Sequence, residues 1–149
     1  MIAEKSKAPA FSLPDSEGKM VSLADFSGKK VLLIFYPGDD TPVCTAQLCD
    51  YRNNVQEFTK RGIVVLGISS DSVASHKSFA ERHELPFTLL SDSEKTVAAA
   101  YDALGFLGMS QRAYVLIDES GSVLMAYSDF LPILYQPMKD LLAKIDGMK

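Results

Sequence analysis

Apolar positions along the chain follow two rhythms. In Lys30-Val31-Leu32-Leu33-Ile34-Phe35-Tyr36 the run is unbroken and rich in β-branched and aromatic residues, as in a strand covered on both faces, and this predicts the centre of a sheet. Gly62-Ile63-Val64-Val65-Leu66-Gly67-Ile68 predicts a second buried strand, and Phe87-Thr88-Leu89-Leu90 a third, shorter one. Between them the period lengthens. Apolar residues at Leu48, Tyr51, Val55 and Phe58 predict one helix lasting to the stop signal Arg61-Gly62. Another is expected from about Ser72 to His83, closed by Leu85-Pro86 because a residue before proline avoids helical geometry.

Upstream, Phe11-Ser12-Leu13 and Met20-Val21-Ser22 flank the turn residues Asp15-Ser16-Glu17-Gly18, which predicts an edge hairpin capping one end of the sheet. Downstream, a short helix around Thr96 to Tyr101 precedes Ala113 to Asp118 and Ser122 to Tyr127, joined as a hairpin by Glu119-Ser120-Gly121. A last helix is expected from about Gln136 to Ile145. This order predicts an α/β fold with a mixed central sheet, parallel in its first part and antiparallel at the hairpin, flanked by helices on both faces and carrying an N-terminal β-hairpin extension. Thioredoxin-like folds share that order.

Composition narrows the setting. At 149 residues, with 47% hydrophobic and 23% charged positions and no repeat or linker, the chain is expected to form one domain with a core that needs no metal or disulfide. A net charge of −4 argues against nucleic acid and anionic lipid as partners. The first residues lack an apolar core of signal-peptide length and no later run is long enough to span a bilayer, so the expected location is the cytoplasm. Thiols are kept reduced there, so Cys44 and Cys49 are read as chemistry before they are read as a structural staple.

The loop after the first central strand reads Pro37-Gly38-Asp39-Asp40-Thr41-Pro42-Val43-Cys44, at the carboxyl end of a strand, where open α/β sheets place their sites. Cys44 then falls near the first turn of the following helix. Only a thiolate is a useful nucleophile, and an ordinary thiol with a pKa of about 8.5 is ionised to a few per cent at neutral pH. A helix N-terminus contributes about 0.3–1 kcal/mol to holding a negative charge, less than one pKa unit, so a cation is needed as well.

Pro37, Thr41 and Cys44 match the Pro-x-x-x-Thr-x-x-Cys motif of peroxiredoxins, and Cys49, five residues further on, resembles the arrangement in the bacterioferritin-comigratory or peroxiredoxin Q subfamily. The resemblance extends through Ala8-Pro9-Ala10-Phe11, Gly67-Ile68-Ser69, Phe87-Thr88-Leu89-Leu90-Ser91-Asp92, Arg112 and Val115-Leu116-Ile117-Asp118. It implies a thiol peroxidase without cofactor or metal. In that reading Cys44 attacks the peroxide, Cys49 resolves the sulfenic acid through a Cys44–Cys49 disulfide, and thioredoxin or a similar dithiol restores both thiols. It further implies that Arg112 supplies the cation, that Thr41 holds the peroxide together with the Cys44 N–H, that Pro37 shields the intermediate, that Gln47 is a partner for Arg112, and that the protein is a monomer. Five residues along an ideal helix separate Cα atoms by about 8–9 Å. A disulfide usually needs about 6.8 Å or less, so the helix must unwind locally in each turnover. Two departures stand out: Gln47 occupies a position where many relatives have glutamate, and Gly105-Phe106-Leu107-Gly108, in a short loop before Arg112, replaces a segment that often contains tryptophan.

Plainer readings exist for each residue. An isolated cysteine on an apolar helix is commonly packing material. Arg112 taken alone is equally a solvated arginine before a strand, and Thr41 an ordinary helix cap. His76 and His83, seven positions apart, lie about 10.5 Å apart along a helix axis, too far to share one metal, so surface or packing roles are expected of them. A thioredoxin-type reductase would need Cys-x-x-Cys, which is absent. A redox-triggered sensor or holdase of the same fold, binding client proteins, is the alternative from a different class.

Overall fold

The computed structural model describes residues 2–105, 111–129 and 135–147. A small antiparallel hairpin, β1 (Ser12–Pro14) and β2 (Met20–Ser22), precedes a single turn of 3-10 helix at Leu23–Phe26. The chain then runs through β3 (Lys30–Phe35), α1 (Pro42–Asn53), α2 (Val55–Lys60), β4 (Ile63–Ser69), α3 (Val73–His83), β5 (Thr88–Ser91), α4 (Thr96–Ala100), β6 (Ala113–Ile117), β7 (Val123–Ser128) and α5 (Met138–Asp146). The five-stranded sheet has the order β5-β4-β3-β6-β7, with β3 in the middle, parallel to β4 and antiparallel to β6. This is the mixed, thioredoxin-like sheet expected from the sequence.

The unbroken apolar runs follow from burial on two sides. Leu32, Ile34 and Tyr36 of β3 and its exit, with Tyr114 and Leu116 of β6, face a core built with Leu48 and Tyr51 of α1, Phe58 of α2, Phe79 of α3 and Leu141 of α5. The alternate residues Val31, Leu33 and Phe35 face a second core closed by Val97 and Ala98 of α4, Tyr101, and the N-terminal residues Ala8, Phe11 and Leu13. Helices thus cover both faces unequally, and the N-terminal segment completes the thinner side.

The single helix expected between Leu48 and Arg61 is two. Asn54 interrupts it at φ −126° and ψ 24°, and its Nδ2 donates to the Asp50 carbonyl at 2.9 Å, offering that oxygen a side-chain donor in place of the helical ladder. α3 ends where expected, with Glu84 in the left-handed region (φ 51°) and the Leu85 N–H bonded back to the Ala80 carbonyl.

Candidate active site

The site lies where β3 runs into α1. Thr41 is the N-cap of α1: its backbone is extended, its Oγ1 accepts from the Cys44 N–H at 3.3 Å, and Pro42 takes the first helical position, where the lack of an N–H costs nothing. The same hydroxyl donates to the Gly38 carbonyl at 3.3 Å. Both contacts are long, and Thr41 and Pro42 are exposed, whereas Cys44 has no exposed surface. Pro37 sits half-buried in the same loop.

Sheet register brings in the arginine. Phe35, the last residue of β3, pairs with Ala113, the first of β6, so Arg112 stands beside the exit of β3. Its Nη1 donates to Cys44 Sγ at 3.2 Å and to Gln47 Oε1 at 2.5 Å, and only 2% of the residue is exposed. The guanidinium thus sets a buried positive charge directly against the sulfur.

Behind this pair lies a network of which the sequence pointed only to Gln47. Gln47 Nε2 donates to the Tyr114 hydroxyl at 3.0 Å and to the Tyr51 hydroxyl at 3.4 Å. Tyr114 spends its own hydrogen on Asp129 Oδ2 (2.7 Å) and Tyr51 on the Gln136 carbonyl (2.5 Å). Burial raises the pKa of both phenols, so both remain donors at neutral pH. Residue 47 must therefore offer hydrogens to two phenol oxygens and an acceptor to Arg112, a combination an amide supplies and an ionised glutamate does not. An amide at position 47 thus fits this surrounding network.

A second cluster holds the loop itself. Asp39 accepts from Tyr36 (2.7 Å), Ser75 (2.8 Å) and His76 Nδ1 (2.8 Å), while His76 Nε2 meets the Leu90 carbonyl at 3.0 Å. Burial would push the Asp39 carboxyl up, but the bonds from His76, Tyr36 and Ser75 hold it below its ordinary value. His76 is fully buried, so its expected role resolves to an internal hydrogen-bonding one and not to the surface. Asp39, Asp71 and His76 bring one donor atom each within 4.8 Å of one another, a grouping that the distance between the two histidines does not suggest. Those groups are already engaged: Asp71 Oδ2 accepts from the Asp39 N–H and from the Ser69 hydroxyl, both at 2.7 Å. The missed signal was spacing, because His76 and His83 lie three residues before and four after Phe79, on the buried face of α3.

Cys49 lies further along α1, half-buried, its Sγ 3.8 Å from His83 Nδ1. Both thiols are free and sit on one unbroken helix. The structure thus brings together Thr41, Cys44, Gln47 and Arg112, and holds Cys49 apart against α3. Residues 106–110 of the short loop before Arg112, which include most of Gly105-Phe106-Leu107-Gly108, lie outside the described residues.

Known proteins resemble this chain in sequence and in fold. A Coxiella burnetii relative assigned to peroxiredoxin bcp is 48% identical over 125 residues, covering 78% of this chain and 82% of its own. The chloroplastic peroxiredoxin Q of Sedum lineare is 42% identical over 144 residues, covering 94% and 74%; against the longer Suaeda salsa protein of the same name the chain spans 64% of the relative's length. Among solved structures, the peroxidoxin BcpB of Mycobacterium tuberculosis superposes with a TM-score of 0.88 at 31% identity, covering 100% of this chain and 99% of that one. The bacterioferritin comigratory protein of Xanthomonas campestris, a protein with alkyl peroxide reduction activity, gives 0.82 at 28% identity, covering 93% and 92%. The AhpC/TSA family model matches residues 5–126, a span that takes in the Cys44 loop, α1 and the strand after Arg112, and the chain belongs to that family.

Proposed function

We propose that this single-domain protein is a thiol-dependent peroxidase in which Cys44 is the peroxidatic and Cys49 the resolving cysteine. The observation that carries the reading is the Arg112 Nη1 at 3.2 Å from the sulfur of a cysteine set in the first turn of a helix, where two sources of positive potential meet. Alkyl peroxides, which the Xanthomonas campestris protein reduces, are a substrate class that suits this site.

A peroxide entering past the exposed Thr41 takes over the two long contacts of its hydroxyl and the Cys44 N–H. The thiolate attacks one peroxide oxygen: an S–O bond forms, the O–O bond breaks, and the leaving oxygen departs as alkoxide or hydroxide and takes a proton from solvent. Arg112 follows the charge from sulfur to oxygen, Gln47 orients Arg112, and Pro37 limits access of water to the Cys44 sulfenic acid.

For resolution the first two turns of α1 must unwind, and its surroundings support a defined end point. The three residues after Cys49 are each anchored: Asp50 Oδ2 accepts from the Met138 N–H (2.8 Å), Tyr51 donates to the Gln136 carbonyl (2.5 Å) and Arg52 Nη1 to the His83 carbonyl (2.7 Å). Unwinding from Pro42 to Cys49 leaves these intact and exposes Leu48, at a cost of about 1.5–3 kcal/mol for that side chain. The folded helix therefore dominates in the reduced state. Thioredoxin or a similar dithiol then reduces the disulfide. The protein acts as a monomer in the cytoplasm, although the plant relatives are chloroplastic; among the described residues no helix is long and apolar enough to cross a membrane.

Peroxide consumption by wild type, Cys44→Ser and Cys49→Ser, with thioredoxin and its reductase or with a small dithiol, tests the reading. Cys44→Ser should lose all activity and Cys49→Ser its thioredoxin-linked turnover. An active Cys44→Ser protein overturns the assignment and favours a client-binding role.

A further inference from the structure

Cys49 has a partner outside the site described so far. Its Sγ lies 3.8 Å from Nδ1 of His83, within reach of a sulfur hydrogen bond. His83 is the last residue of α3 and is held from two sides: its carbonyl accepts from Arg52 Nη1 at 2.7 Å, and its ring packs edge-on against the fully buried Phe79, with centroids 5.0 Å apart and planes at 69°. Arg52 lies one turn beyond Cys49 on α1. The link that fixes His83 therefore stands outside the segment that must unwind, so the imidazole keeps its place when Cys49 moves.

We propose that His83 is a catalytic residue of the resolving step, the base that takes the Cys49 proton; this rests on the reading of Cys49 as the resolving thiol. The proton passes from Cys49 Sγ to His83 Nδ1, and the thiolate attacks the sulfur of the Cys44 sulfenic acid. The S–S bond forms and the S–O bond breaks. Hydroxide leaves and recovers the proton from the imidazolium through solvent, so one sulfenic acid and one thiol become a disulfide and one water. The Cys44 sulfur is reduced, the Cys49 sulfur is oxidised, and no further oxidant is required. An imidazole is suited to this at neutral pH, where a neutral ring is available as a proton acceptor and an ordinary thiol is mostly un-ionised. Arg112 serves Cys44 and lies beside β6, so activation of the second thiol needs its own group.

Around the pair, the Arg52 guanidinium faces it from α1, while Arg82 and Glu84 flank His83 in its own segment, with Arg82 occupied by Asp40 at 2.6 Å. Guanidinium groups and carboxylates of these types keep one charge state between about pH 6 and about pH 9, so pH dependence in that range reports on the thiol and the imidazole.

The test is a single turnover with one equivalent of hydrogen peroxide, in which sulfenic acid is trapped with dimedone and disulfide is counted by mass spectrometry, across about pH 6 to about pH 9. His83→Gln, and His83→Phe to keep the packing on Phe79, should slow disulfide closure about 10- to 100-fold near neutrality, with the slowing on closure and not on sulfenic acid formation. The deficit should vanish towards about pH 9, where hydroxide replaces the imidazole as the base. A deficit equal at both pH values means a structural role and overturns the proposal, as does closure at the wild-type rate in both variants. Cys49→Ser in the same experiment separates the two levels: if the wild type forms no Cys44–Cys49 disulfide, the resolving assignment fails and takes this inference with it. If the disulfide forms and only the His83 variants are silent, His83 alone is wrong.

Discussion

Replacing Arg112 by methionine keeps most of the side-chain volume and removes the charge. At 3.2 Å from the sulfur and an effective dielectric of about 20, a full unit charge would stabilise the thiolate by about 5 kcal/mol. The guanidinium spreads its charge over three nitrogens, and Nη1 also serves Gln47 Oε1 at 2.5 Å, so we take roughly half, ~2.5 kcal/mol, as acting on the sulfur. That corresponds to a fall of roughly 50- to 100-fold in the second-order rate of Cys44 with hydrogen peroxide. The chain contains no tryptophan, so competition with a haem peroxidase for peroxide is a better assay than intrinsic fluorescence. The substitution also strands Gln47 Oε1 at a cost of about 1–3 kcal/mol in stability, which urea unfolding measures separately. A rate within about threefold of wild type in a folded Arg112→Met protein would refute the idea that this arginine supplies the charge.

Gln47→Glu places carboxylate lone pairs against two phenol oxygens whose hydrogens are already committed, and it should cost about 1–3 kcal/mol at neutral pH. The loss should shrink as the solution is acidified and a protonated acid regains a donor, which urea midpoints as a function of pH will report. Gly67→Ala in β4 should destabilise by about 1–3 kcal/mol, because a Cβ there would stand 2.7 Å from Leu89 Cδ2 and 3.4 Å from the Tyr36 ring. An unchanged urea midpoint would mean that Leu89 re-packs freely. For Asp39 the folded pKa is lowered, so its contribution to stability is present above the unfolded value of about 3.9 and is lost as pH falls through the folded value. Asp39→Asn should therefore flatten the decline of stability below about pH 4, and an acid unfolding curve as steep as that of wild type would count against it.

Most of the architecture was legible in the sequence because it is encoded within a few residues at a time. The double-faced runs in β3, β4 and β6 announce a sheet covered on both sides, the Glu119-Ser120-Gly121 turn announces the hairpin, and a loop ending in Thr41-Pro42-Val43-Cys44 announces a capped helix with a cysteine in its first turn. The break at Asn54 was not legible, since apolar spacing continues smoothly across it while a side-chain amide competes for the Asp50 carbonyl.

By itself, then, the sequence determined the loop that carries Cys44, the helix that follows it and the resemblance that singled out Arg112, because local periodicity, capping and motif spacing carry that information. What only the tertiary structure decided are the partnerships across long separations. The pairing of Phe35 with Ala113 sets Arg112 against a cysteine 68 residues away, and the packing of α3 sets His76 on Asp39 and His83 on Cys49. Such contacts depend on strand register and helix packing, which arise from burying two whole cores at once and are written in no short stretch of the chain.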